Sequence, residues 1–192
     1  MLDLHPATRE VARLLEGVTD DQLSAPSPSD CDVATLLDHL MGLTMAFTWA
    51  AEKSTPPGGS KPPSSSGANL DPKWRSVLPE RLDALGDAWS KPAAWEGMTE
   101  AGGVTMPGEV TGLVALDEVV LHGWDLARAT GQEFRCDPDS AEAVLGFTER
   151  SAQPDQAAMR TGLFGPVVPV ADDAPTFDRA LGLAGRDPAW TP

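Results

Sequence analysis

The chain has 192 residues, a formal net charge of −15 at pH 7 and a sequence pI of about 4.4. Its length suits one domain with a sizeable hydrophobic core, predicted to span residues 1–192. The negative charge repels phosphate groups, which argues against nucleic acid and anionic membranes as partners. No apolar run approaches the roughly 18 residues of a membrane span, and the N-terminus does not resemble a secretory signal. A cytoplasmic protein is therefore expected.

The two cysteines, Cys31 and Cys136, are too few for a disulfide framework and do not have the spacing of metal ligands. We expect both thiols to be reduced, which fits a cytoplasmic location. Cys31 directly precedes a predicted helix, and a helix N-terminus can activate a thiol. A reactive thiol is therefore an alternative interpretation of Cys31.

Apolar residues recur at helical spacing in the first half of the chain. The pattern predicts one helix over residues 3–17 and a second over residues 32–53, with Asp32 as the N-cap of the second. The next segment, residues 54–71, is dominated by Ser, Pro and Gly. This composition predicts a flexible loop that joins two helices.

The second half of the chain contains further helical patterns. A third long helix is predicted over residues 72–90, and the most strongly patterned one covers residues 109–130. Between them, residues 94–107 contain two short runs around a Gly-Gly pair, which indicates a small hairpin or an irregular loop. Shorter helices are predicted over residues 137–150 and 176–183.

These elements predict an all-α fold: a four-helix bundle with additional short helices at the C-terminal end. The many short alternating strands of a β-sandwich or β-barrel are missing from the pattern. In a bundle, side chains that face each other from neighbouring helices can form a site in the core.

The fourth long helix carries the clearest chemical signal. Glu118 and His122 are four residues apart, so they project from one face of the helix with Cβ atoms about 5–6 Å apart. They lie in a strongly apolar segment, where buried polar groups need partners. Two interpretations fit this spacing: a pair of metal ligands, or a hydrogen-bonded pair within the helix.

The chain has three histidines, and His39 lies in the middle of the second helix between leucines. It is either a core-edge histidine or a third ligand opposite Glu118 and His122. Two imidazoles and one carboxylate suit Zn²⁺, Ni²⁺, Fe²⁺ or Co²⁺ and leave coordination positions open for water or substrate. Three protein ligands with an open position are typical of a catalytic metal site.

Two other residues have less defined roles. Asp125 follows His122 by three residues, so it is either a hydrogen-bond acceptor that orients His122 or a structural partner of Arg128. We interpret His5, in the first turn of the first helix, as a surface or capping residue, with a fourth metal ligand as the alternative.

Two segments resemble a known family. The stretch DCDVATLLDHLMGL, which contains His39, resembles the second-helix motif of the DinB-like helical-bundle metalloproteins. The stretch LDEVVLHGWDLARATG and the ending GRDPAW resemble the small actinobacterial branch related to the N-terminal domain of mycothiol-dependent maleylpyruvate isomerase. The resemblance implies a DinB-like bundle with one divalent metal, most often zinc, held by His39, Glu118 and His122.

The same resemblance implies a chemistry. In part of the family a low-molecular-weight thiol, mycothiol, binds the metal as a thiolate and attacks an electrophilic carbon. The leading expectation is thus a mycothiol-dependent transferase or isomerase acting on a small electrophile. A metal-dependent hydrolase and a non-catalytic protein that binds metal or a small ligand are the alternatives. A homodimer is also possible for such a bundle.

Overall fold

The computed structural model describes residues 1–54, 59, 64–156, 160 and 162–192. The described residues contain seven α-helices and one two-stranded sheet. The helices are α1 (His5–Glu16), α2 (Val33–Ala51), α3 (Trp74–Trp89), α4 (Pro92–Trp95), α5 (Gly108–Ala129), α6 (Pro138–Ser151) and α7 (Thr176–Leu183). The predicted all-α, DinB-like fold is confirmed, with helix ends within about two residues of those expected.

Helices α1, α2, α3 and α5 form the bundle. Helix α1 packs against α3 and α5, and α2 packs against the same two helices, so the four surround one core. The largest fully buried side chains are Trp89, Leu4, Leu14, Leu36, Leu37, Leu40, Leu78, Leu82, Leu85, Leu116, Leu121 and Leu126. Packing around this leucine-rich interior places the face of α5 that carries Glu118 and His122 against α2.

Helix ends follow the capping chemistry of the sequence. The Asp32 carboxylate accepts a hydrogen bond of 2.8 Å from the Thr35 backbone N–H, which confirms Asp32 as the N-cap of α2. Helix α5 ends just before Gly131, whose φ of 68° lies in the left-handed region that favours glycine. These two features mark where α2 begins and where α5 ends.

The segment around residues 94–107 contains a β-hairpin, one of the two predicted alternatives. Strand β1 (Met98–Ala101) pairs antiparallel with β2 (Val104–Pro107). Gly102 and Gly103 connect the strands, with φ angles of 62° and 82°. Two successive positive φ angles are characteristic of a tight type I′ turn. The hairpin packs against α2 and α5, close to the C-terminal end of α2.

The predicted flexible loop at residues 54–71 lies partly outside the described residues, at 55–58 and 60–63. Its last part is held against α2. The Ser66 N–H donates to the Asp38 carboxylate at 3.0 Å, and the Gly67 N–H donates to the Thr35 hydroxyl at 2.9 Å. Residues 67–69 form a 3₁₀ turn. This part of the segment therefore lies beside the middle of α2 and contributes to the surroundings of His39.

The C-terminal helices form a second layer on the bundle. Helix α6 packs against α5, and α7 packs against α6. A 3₁₀ turn covers Pro154–Gln156 between these two helices, while residues 157–159 and 161 lie outside the described part. Among the described residues, no helix is both long and apolar enough to span a bilayer.

Gly123, which follows His122 in α5, allows α1 to approach closely. A Cβ atom at this position would lie 2.8 Å from Val11 Cγ2 and 2.9 Å from Phe134 Cε2. Both neighbours are stiff side chains packed against the core. Gly123, the first glycine of the HGWDLARATG stretch, is therefore required for the close packing of α1 and α5.

We expect Gly123→Ala to lower the free energy of unfolding by about 1 kcal/mol or more, because overpacking outweighs the better helix propensity of alanine. The matched control is Gly42→Ala in α2, where a new Cβ meets nothing within 4 Å. That variant is expected to gain about 0.5–1 kcal/mol. Urea unfolding of both variants measures the difference. Equal shifts in both variants would contradict the packing role of Gly123.

Candidate metal centre

Helices α2 and α5 bring three predicted ligands together. Glu118 and His122 lie one turn apart on α5, on the face that packs against α2. His39 lies in the middle of α2, opposite them. One ligand atom from each of the three side chains lies within 4.8 Å of the other two. The sequence spacing placed two of these residues on one face, and helix packing supplies the third.

The Glu118 carboxylate lies between the two imidazoles. Its Oε2 atom is 3.4 Å from His39 Nε2 and 3.2 Å from His122 Nε2. The two rings are nearly perpendicular, at 82°, with centroids 4.7 Å apart. Ligands about 2.0–2.1 Å from a tetrahedral Zn²⁺ are separated from one another by roughly 3.3 Å. These two contacts are therefore already close to the spacing of ligands around one ion.

The cluster opens to solvent on the α2 side. The exposed fraction of the side chain is 40% for His39, 20% for Glu118 and 15% for His122. A ligand from solution would therefore reach the cluster past His39.

Charge and burial act in opposite directions in this cluster. Burial disfavours the ionised form of Glu118, yet hydrogen bonds and charges from His122 and His39 hold its pKa well below its usual range. Burial alone would lower the pKa of His122. Hydrogen bonds with Asp125 and Glu118, and their negative charges, instead raise the pKa of His122 to about 9. Without a metal, the cluster therefore favours an ionised Glu118 beside a protonated His122.

Asp125 is fully buried and contacts His122. Its Oδ2 atom lies 3.0 Å from His122 Nδ1, so the ring nitrogen that faces away from Glu118 has a carboxylate partner. Arg128 does not pair with Asp125 but donates to the backbone carbonyl of Trp190. Of the two roles considered for Asp125, the contact with His122 is present. The pairing with Arg128 was wrong, because the Arg128 guanidinium points to the C-terminal segment.

Arg186 is a neighbour of the site that sequence reasoning missed. Its Nε donates to Asp125 Oδ1 at 2.9 Å, and its Nη2 donates to Asp125 Oδ2 at 2.8 Å. The pair is buried and bidentate, which is the strong geometry for arginine and a carboxylate. Arg186 lies in the GRDPAW ending, which carried a resemblance but no spacing that linked it to α5.

Two further residues were also missed. The Ser65 hydroxyl lies 3.3 Å from His39 Nδ1, and no signal distinguished this serine within a serine-rich segment. Asp117, directly before Glu118, is buried, and its Oδ1 atom has no hydrogen-bond partner among the described residues. Burial and the charge of Glu118 raise the pKa of Asp117 well above its usual value, which favours the neutral acid at this position.

His5 and the two cysteines lie outside this cluster. The His5 ring lies 2.8 Å from Asp3 and 3.2 Å from Asp87, which ties α1 to α3, and its side chain does not cap α1. Cys31 and Cys136 are both free thiols. Within the described part of the chain, neither His5 nor a cysteine joins a group of three possible metal ligands.

A family model gives an independent comparison. The model described as the mycothiol maleylpyruvate isomerase N-terminal domain matches residues 4–127, which is well over half of the chain. The chain belongs to this family. The predicted resemblance is therefore confirmed, and the coarse function that the family indicates is a mycothiol-related, DinB-like metal-binding domain.

Two relatives are similar to this chain over most of its length, and both are named only as uncharacterized proteins. Two uncharacterized proteins, from two strains of Mycobacterium tuberculosis, are each 31% identical over 175 residues. The alignments cover 85% of this chain and 81% of each relative. No solved structure matches the chain.

The family match contains the whole candidate cluster. His39, Glu118, His122 and Asp125 all lie within residues 4–127, whereas Arg186 lies beyond that span. The arginine that contacts Asp125 is thus supplied by a part of the chain that the family model does not describe.

Proposed function

We propose that this protein is a metal-dependent enzyme in which a low-molecular-weight thiol, mycothiol, attacks a small electrophile in a transferase or isomerase reaction. The observation that supports it best is the three-ligand cluster of His39, Glu118 and His122, which is buried on the α5 side and open on the α2 side. The family of the chain adds the link to mycothiol.

The donor set fits a divalent metal. Two imidazole nitrogens and one carboxylate oxygen suit Zn²⁺ best among the common choices, with Ni²⁺, Fe²⁺ and Co²⁺ also accommodated. When bound, such an ion lowers the pKa of a coordinated thiol and stabilises the thiolate for attack on carbon. The choice of zinc, like the two histidines and Glu118 as ligands, is part of the proposal.

The protein side chains supply orientation. Asp125 contacts His122 Nδ1, which leaves Nε2 directed towards Glu118 and His39. The Ser65 hydroxyl contacts His39 Nδ1 in the same way from the other side. The His39 side chain is 40% exposed, so thiol and electrophile would approach the cluster from this side.

A hydrolase is less well supported by the geometry. Such a reaction would need a general base, and Asp125 is the candidate. Its Oδ1 accepts from Arg186, and its Oδ2 accepts from Arg186 and lies within hydrogen-bond distance of His122. A carboxylate committed to these contacts is poorly placed to take a proton from water. We therefore favour thiol chemistry over water activation.

Turnover with and without thiol tests the proposal. Zinc-loaded protein is incubated with mycothiol and a panel of enones, epoxides and alkyl halides, and products are followed by mass spectrometry. We expect product formation that requires both metal and thiol and that falls to background in His122→Ala. His5→Ala is the control and should retain the full rate, because His5 lies outside the cluster.

Two results would overturn the proposal. Cleavage of esters or amides without thiol would identify a hydrolase. Metal bound without any turnover, and without affinity for mycothiol, would identify a binding protein. A cytoplasmic location and a homodimer remain predictions, which fractionation and light scattering would test.

A further inference from the structure

Arg186 is placed by the end of α7. Gly185, with a φ of 84°, reverses the chain after the helix, and the Arg186 N–H donates to the Leu181 carbonyl at 2.9 Å. A Cβ at Gly185 would lie 2.8 Å from the Gly165 backbone, so this turn fits closely against the preceding segment. The backbone position of Arg186 is therefore set by contacts within the C-terminal segment, and only its side chain extends to α5.

The side chain of Arg186 ends in a buried contact with Asp125, and its Nη1 also donates to the Ala184 carbonyl at 3.4 Å. Both of its short hydrogen bonds go to Asp125, which is itself buried. Two parallel N–H···O contacts restrict rotation of a carboxylate more than a single contact does. The position of Asp125 Oδ2, which also contacts His122 Nδ1, is thus set from the C-terminal segment.

We infer that Arg186 is a positioning residue of the metal centre and that it acts through Asp125 on His122. Arg186 holds the carboxylate, the carboxylate accepts a hydrogen bond from His122 Nδ1, and His122 Nε2 is thereby turned towards Glu118 and His39. The inference rests on the proposed metal centre, and it assigns part of that centre to a segment outside the family match.

A matched control exists in the same contact area. Arg128 also joins α5 to the C-terminal segment, but it donates to the Trp190 carbonyl and touches neither Asp125 nor His122 through a hydrogen bond. Arg128→Met therefore weakens the attachment of the C-terminal segment and leaves the hydrogen bonds from Arg186 and from His122 to Asp125 intact. Arg186→Met removes the hydrogen bonds to Asp125, and Arg186→Lys keeps the charge but loses the bidentate contact.

Three measurements are made for each variant. They are the zinc dissociation constant, the visible spectrum of the Co²⁺-loaded protein and the ¹⁵N-detected imidazole spectrum of the metal-free protein. Loss of a partner that contacts a ligand directly, as Asp125 does, typically weakens metal binding about 10–100-fold, and removal of Arg186 acts through this carboxylate. We expect that loss for Arg186→Met, an intermediate loss for Arg186→Lys and less than about a threefold change for Arg128→Met. The His122 Nδ1–H signal should also weaken in both Arg186 variants.

Folding and metal binding are separated by these readouts. If Arg186→Met does not fold, Arg186→Lys carries the test, with its fold checked by circular dichroism. Unchanged dissociation constants and an unchanged His122 signal in the Arg186 variants would overturn the inference. If the parent protein binds no metal, the proposed function fails, and the imidazole spectra alone decide the role of Arg186.

Discussion

His122→Ala is expected to lower zinc affinity by more than about 100-fold, since the loss of a mere outer partner already costs 10–100-fold. His122 supplies Nε2 to the cluster, 3.2 Å from Glu118 Oε2, and the remaining two side chains cannot enclose an ion. Elemental analysis of protein purified without a metal-binding tag should show near-stoichiometric metal in the parent and almost none in the variant.

His5→Ala is the matched control for this measurement. It removes a histidine that contacts Asp3 and Asp87 and that belongs to no group of three possible metal ligands among the described residues. Equal metal content in all three proteins would remove the basis for the site. The Glu118–His122 pair would then be an internal hydrogen bond of α5.

Zinc affinity is expected to rise about tenfold per pH unit between roughly pH 6 and 8, because protons compete with the metal for His122. Burial disfavours the imidazolium, but the contacts with Asp125 and Glu118 prevail and raise the pKa of His122 to about 9 in the metal-free protein. At neutral pH the ring is therefore protonated. It must lose this proton to become a ligand, so affinity falls as the pH decreases below 9 and levels off above it.

Calorimetry in two buffers of different ionisation enthalpy measures the proton directly. We expect about one proton released per zinc near neutral pH. Asp125→Asn removes one of the negative partners of His122, so this variant should release a smaller fraction of a proton. Affinity that does not depend on pH, with no proton released, would show that His122 is not a ligand.

Much of the fold follows from local patterns in the sequence. Leucine spacing predicts α2 and α5, and Asp32 and Gly131 mark a beginning and an end through backbone chemistry that acts over a few residues. The pair of Glu118 and His122 was also predictable, because both belong to one helix and the helix repeat sets their relative direction. The prediction of His39 as the third ligand depended on the scarcity of histidine in the chain and on the family resemblance.

The outer contacts of the site were not predictable in this way. Arg186 reaches Asp125 across 61 positions of sequence, and Ser65 reaches His39 across 26. Neither contact follows from a helical repeat. Both depend on how segments outside the bundle fold back onto α2 and α5, and this is decided by tertiary packing such as the close fit of Gly185 against Gly165.

A metal ion in the cluster would couple metal content to the stability of the whole bundle. His39 belongs to α2, while Glu118 and His122 belong to α5, so an ion held by all three cross-links two helices that are joined by a long stretch of chain. The unfolded chain cannot present these groups together, and binding energy is therefore added to folding energy. At a free metal concentration 1,000 times the dissociation constant this linkage amounts to about 4 kcal/mol. Chelation would then act on this protein as a denaturant does, lowering its melting temperature without touching its core.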